Sequence, residues 1–133
     1  MVLAGVCSEL RATKKTMIIY VWTAREVERI TKLLHKFGTE EATPLRTDSS
    51  PSEREIAQAS PVIVTTDEAA SLTTITTPPL PPLPRADYII NFDLLAGWWK
   101  NPPPAPTYIR RVADAVFAEG GSRCVMIIFQ TME

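Results

Sequence analysis

Met17-Ile18-Ile19-Tyr20-Val21-Trp22 puts apolar side chains on both faces of an extended segment. A strand carries that pattern when helices cover it above and below. The run stops at Thr23-Ala24-Arg25-Glu26, the capping-box spacing in which a Thr hydroxyl takes one free backbone N–H and a Glu carboxylate another. A helix is predicted from there. Ala24, Val27, Ile30, Leu33, Leu34 and Phe37 share one face, while Arg25, Glu28, Arg29, Lys32 and Lys36 point elsewhere, and Gly38 supplies a left-handed C-terminal cap.

The same grammar returns further on. Ser50 can cap, Pro51 suits the first helical position and Glu53 closes a second box, which predicts a shorter helix to Ala59. Pro61 to Thr65 reads as another buried strand, with Thr66-Asp67-Glu68-Ala69-Ala70 opening a helical turn from its end. Asp87 to Phe92 and Arg123 to Phe129 read as further strands. Thr107 can cap a helix that carries Tyr108, Ile109, Val112, Ala113, Val116 and Phe117 inward and stops at Gly120-Gly121. Val2 to Leu10 fits a leading helix, and Ala42 to Leu45 a weak strand.

Strands alternating with helices predict a single α/β domain over residues 1–133, a three-layer arrangement with a mainly parallel sheet and helices on both faces. Function in such a sheet sits at the C-terminal ends of the strands. Residues 77–84 and 94–106 break the pattern and are expected to be proline-rich loop insertions with polyproline II character.

Fourteen basic against fifteen acidic side chains leave a net charge of -1. The bulk attraction that non-specific nucleic-acid binding uses is therefore missing, and any RNA contact has to be local. No apolar run reaches the length of a membrane span, and no basic region precedes an apolar one at the start, so an intracellular protein without membrane association is expected, in the cytoplasm or a ribonucleoprotein granule, with the nucleus as the alternative. Cys7 and Cys124 are expected to be reduced. His35 has no second histidine or cysteine cluster to make a metal site with, and neither a G-x-x-x-x-G-K-[ST] phosphate loop nor a G-x-S-x-G nucleophile elbow occurs.

In their order, these pieces resemble the C-terminal RecA-like lobe of the DEAD-box RNA helicases across essentially the whole chain. Ile18 to Thr23 is similar to the family's I-I-F-x-x-T segment, whose threonine lies near the RNA backbone. Pro51-Ser52-Glu53-Arg54 is similar to the Q-x-x-R element, keeping Arg54 and replacing the glutamine with Pro51. Val62 to Ala70 resembles the V-L-V-x-T-D-x-A-A opening of the next motif, but Ser71-Leu72-Thr73-Thr74 then stand where the family has R-G-x-D, so its ribose-binding aspartate is missing. Asp87 to Asp93 is similar to the V-I-N-Y-D strand, and Tyr108-Ile109-Arg110-Arg111-Val112 to the Y-I-H-R-I helix start. Beyond it, Ala113 to Phe117 replace G-R-x-G-R, and both arginine fingers are gone.

What the resemblance implies about chemistry follows from that loss. An arginine finger that neutralises charge on the transferred phosphoryl group is worth about 10³ to 10⁵ in rate, or roughly 4 to 7 kcal/mol of barrier. Asp114 would place negative charge where the family has positive. ATP and magnesium would be held only together with an N-terminal RecA-like lobe of the same protein. The expectation is a catalytically degenerate helicase lobe that serves a ribonucleoprotein assembly through protein contacts, self-association or local RNA binding. Degenerate lobes of this kind occur in germline Tudor-type helicase-like proteins. The alternatives are an active ATP-dependent RNA helicase lobe in which other residues replace the arginines, and an unrelated α/β binding domain with the same element order.

By the same resemblance, Thr23, Arg54, Thr66 and Asp67 are the RNA-binding candidates, and Arg110, Arg111 and Asp114 the remnant of the ATP motif. Each has a plainer reading. Thr23 and Thr66 can simply cap helices, Arg54 can form a surface ion pair with a neighbouring carboxylate, and Arg110-Arg111 can be a solvated helix start. Lys14-Lys15 beside Arg11 fits an exposed loop, and His35 an exposed last helical turn. Trp98 and Trp99, adjacent in a proline-bounded loop, cannot both point one way if extended, so either one of them anchors a partner or both cover a sheet edge.

Overall fold

Side-chain alternation along the first strand divides the protein into two cores. The computed structural model describes residues 2–66, 68–70, 86–92 and 125–128. Among these the order is α1 (Val2–Ala12), β1 (Met17–Tyr20), α2 (Ala24–Lys36), β2 (Ala42–Leu45), α3 (Pro51–Gln58), β3 (Val62–Thr65), β4 (Tyr88–Asn91) and β5 (Val125–Ile128). The five strands form one sheet in the order β2-β3-β1-β4-β5, and every pairing is parallel. Met17 and Ile19 join Val62, Val64 and Ile90 beneath α1 and α2, while Ile18 and Tyr20 join Ile63, Ile89 and Ala57 of α3 on the opposite face. Helices therefore cover both faces, as the doubly apolar run of β1 requires.

Most predicted boundaries hold to within one or two residues. Thr23 caps α2, with its hydroxyl accepting from the Glu26 amide at 3.3 Å, and Gly38 has the left-handed φ of 105° that ends the helix. Two inward assignments on α2 are corrected: Ala24 and Phe37 are exposed, and Thr31 takes a buried place instead. Ala24 lies in the first turn, past the end of β1, and Phe37 sits at the C-cap where the chain turns away, with the Lys36 ammonium 5.8 Å from its ring. Thr31 is accepted in the core because its hydroxyl donates to the Val27 carbonyl at 2.7 Å. Pro44 lies within β2, an edge strand, where its missing N–H leaves only the solvent side of the ladder unpaired.

His35 is exposed as expected, yet its Nε2 lies 2.6 Å from the Ala42 carbonyl and ties α2 to β2. Lys14 and Lys15 are exposed, whereas Arg11 pairs with Glu41. Cys7 is a free, fully buried thiol, and burial pushes its pKa up to about 12, which leaves it inert as a nucleophile. No helix among the described residues is long and apolar enough to cross a membrane. The predicted helix from Thr107, the two proline-rich stretches and Cys124 lie outside the described residues.

The two ends of the sheet differ in how their polar groups are used. At the N-terminal end, the Asp87 carboxylate accepts from the Thr16 amide at 2.9 Å and its hydroxyl at 3.2 Å, and Ser60 is bonded to Glu41, Thr43 and Val62. These bonds lock the starts of neighbouring strands together, beside a cavity of about 210 Å³ lined by Thr16, Ser60, Pro61 and Ala86 among others.

The packing sets a clear stability contrast. Ile19→Ala removes a fully buried side chain from the central strand and is expected to destabilise by about 2–5 kcal/mol. Ile56→Ala, at a site 63% exposed, is expected to stay within about 0.5 kcal/mol of the wild type. Urea unfolding of the two variants checks this, and comparable losses would refute the layered core.

Candidate nucleic-acid interface

The C-terminal end of the sheet gathers three neighbouring strand ends, those of β2, β3 and β1. Tyr20 pairs with Thr65, and the Val21 amide donates to the Thr65 carbonyl at 2.9 Å, so Thr66 lies beside the start of the β1 loop. Thr66 is only 8% exposed, and its hydroxyl oxygen accepts from the Ala69 amide at 3.1 Å, capping the turn that holds Glu68, Ala69 and Ala70. Thr23, in contrast, is exposed. A threonine hydroxyl that accepts from a cap amide keeps its own O–H as a donor, so Thr23 is the accessible one of the pair.

The first turn of α2 adds to that donor. Glu26 and Val27 amides are satisfied by Thr23, which leaves the Ala24 and Arg25 amides as the first-turn donors without an intrahelical partner. Both residues are exposed. The nearby Glu26 carboxylate is engaged by Arg29, with three contacts of 2.7 to 3.2 Å, so its charge is offset. Trp22, immediately before the cap, is 46% exposed.

Arg54 is not the surface residue of the plainer reading. It is 4% exposed, so a surface ion pair is excluded. Its guanidinium donates from Nη1 to the Arg46 carbonyl at 3.4 Å and from Nη2 to the Ala69 carbonyl at 3.3 Å, while Nε has no partner. Both carbonyls lie just past the ends of β2 and β3. No carboxylate among the described residues faces it, and burial depresses its pKa. Arginine keeps its proton regardless, so a positive charge without a counter-ion among the described residues sits under this edge, at some cost in desolvation. Arg46, which sequence reasoning did not single out, is neutralised by Glu28 of α2 and by Asp48 at 3.2 Å.

A capping box holds Arg54 in place. Ser50 accepts from the Glu53 amide at 3.2 Å, and the Glu53 carboxylate accepts from the Ser50 amide at 2.9 Å. Those bonds, the backbone one first, hold the Glu53 pKa below the ordinary carboxylate value. The structure thus brings Thr23, Thr66 and Arg54 to one end of the sheet. Asp67, Arg110, Arg111, Asp114, Trp98 and Trp99 lie outside the described residues.

With this geometry in place, the protein can be compared with others. The C-terminal domain of the DEAD-box protein Dbp5 superposes with a TM-score of 0.63 at 22% identity, covering 96% of this chain and 69% of that one. The fold is that of a RecA-like helicase lobe. A helicase domain of Hef from Pyrococcus furiosus agrees, with a TM-score of 0.60 at 16% identity over 98% of this chain, which spans about a quarter of the Hef chain. No protein-family model and no curated protein matches the sequence. The strand succession expected from the sequence is present in the superposed fold.

Two outcomes follow from the site. Arg54→Met keeps most of the stem and removes the charge, so relief of desolvation offsets two long hydrogen bonds and stability is expected within about 1 kcal/mol of the wild type. A loss of several kcal/mol by thermal unfolding would make Arg54 structural glue instead. Glu53, with its folded pKa depressed, contributes stability that is fully present above the unfolded value of about 4.3 and is lost as pH falls through the lower folded one. The melting temperature of the wild type should therefore drop more steeply on acidification than that of Glu53→Gln; parallel curves would contradict the capping role.

Proposed function

We propose that this chain is a non-hydrolysing helicase-type lobe that holds RNA locally within a ribonucleoprotein assembly, beside a first RecA-like lobe. The observation that carries the reading is the buried Arg54 charge, without a counter-ion among the described residues, beneath a strand-end edge where Thr23 and the α2 amides remain available as donors. A buried charge maintained at such a cost and not used in an ion pair is a mark of a functional site. Phosphate is the ligand chemistry that suits it. Helix N-terminal amides, a hydroxyl and guanidinium groups are common partners of the nucleic-acid backbone.

The absence of turnover rests on the sequence. Ala113 to Phe117, with Asp114, stand where the DEAD-box pattern has its fingers, and Ser71 to Thr74 stand where it has a ribose-binding aspartate. Without the arginines, a bound nucleotide would lack the charge stabilisation that phosphoryl transfer needs. Trp98 and Trp99 are the natural anchors for protein contacts of the assembly, including contacts between copies.

Fluorescence anisotropy with labelled single-stranded RNA, and steady-state ATPase assays with the first lobe and RNA present, test the reading. Binding that weakens as salt rises, with Arg54→Met weaker than the wild type, and ATP hydrolysis no higher than that of the first lobe alone are expected. Asp114→Arg by itself should not restore turnover, since the second finger and the ribose aspartate stay missing. RNA-stimulated hydrolysis above the first-lobe blank would establish an active helicase lobe instead.

A further inference from the structure

Trp22 interrupts a sequence of buried neighbours. Tyr20 and Val21, just before it, are 3% and 2% exposed, whereas Trp22 leaves 46% of its surface in water. Among the described residues its indole N–H has no hydrogen-bond partner and its ring no aromatic or cationic one. The other large exposed apolar residues, Phe37 and Ile56, sit at the far end of α2 and on α3, and Phe37 has the Lys36 ammonium over its ring. Trp22 alone stands at the C-terminal end of the central strand, next to the exposed Thr23, Ala24 and Arg25.

We infer that Trp22 is a stacking platform for one nucleobase of the RNA whose backbone lies along Thr23 and the start of α2. The inference rests on the RNA-binding reading above and deepens it. Charge complementarity selects the occupant. The α2 N-terminus, the Arg25 guanidinium, which has no partner among the described residues, and the buried Arg54 put positive charge at this strand end, against the exposed Glu68 of the turn after β3, while Glu26 is occupied by Arg29. A purely apolar protein segment would leave those donors and charges unmatched, whereas a nucleotide offers an anion and a π-face from one unit. Bases stack on aromatic side chains with little sequence preference, so Trp22 adds affinity without base-specific readout.

Base-bearing and abasic single-stranded RNA of one length, each titrated against the wild type, Trp22→Ala and Trp22→Phe, separate the contributions. Removal of the ring is expected to weaken binding of the base-bearing strand by about 5- to 140-fold, the range for a single base–aromatic stack. Trp22→Phe should recover most of that loss, and Trp22→Ala should leave abasic binding unchanged. Equal weakening toward both strands, or none toward either, would overturn the stacking assignment while leaving RNA binding intact. Failure of the wild type to bind either strand would overturn the RNA reading itself, and the stacking assignment with it.

Discussion

The central strand β1 has to be buried on both faces, and the rest of the architecture answers to that requirement. Met17 and Ile19 need α1 and α2 on one side, and Ile18 and Tyr20 need α3 on the other. Parallel neighbours connected by helices are the topology that supplies both covers, since each crossover returns the chain to the same edge with a helix on one face. All strands then point the same way, and their C-terminal ends share one edge of the sheet.

That shared direction gives the sheet two unlike ends. At the starts of the strands, Thr16 and Asp87 bond to each other through backbone and side chain, and Ser60 links β2 to β3. Polar groups there consume one another. At the other end the caps of α2 and of the turn after β3 are satisfied, but Ala24, Arg25 and Trp22 remain exposed and Arg54 keeps a charge without a counter-ion among the described residues. Desolvating a guanidinium between two carbonyls does not stabilise a fold as well as an apolar side chain of the same length would. Under the proposed function, its presence is accounted for by phosphate bound at that edge.

Much of this was legible in the sequence because the relevant signals are local. The Thr23 and Ser50 caps, Gly38, Pro51 and the β-branched runs each act within a few residues, and they located α2, α3, β1 and β3 closely. Even Ala42–Leu45, a weak strand by composition, forms as expected, because its partner β3 completes it. Properties that depend on distant parts of the chain were not legible. Arg54 read as a surface residue because helical periodicity around it is short and mostly polar; its burial comes from carbonyls eight and fifteen residues away in sequence. Trp22 read as one more apolar strand residue, since a run of six gives no hint that the ladder stops at Tyr20. Phe37 read as inward because periodicity cannot register that the cap turns the chain off the helix axis.

Under the proposed function, holding RNA is separated from hydrolysis: the groups proposed to hold it lie at the C-terminal strand ends, and the arginines expected from the DEAD-box resemblance are absent from the sequence. The most direct measurement of that division is amide and indole NMR chemical-shift mapping of the isotope-labelled chain during titration with single-stranded RNA. Perturbations centred on Trp22 to Glu26 and on Thr66 are the predicted result. Perturbations confined to the opposite end, around Thr16, Ser60 and Asp87, would contradict it.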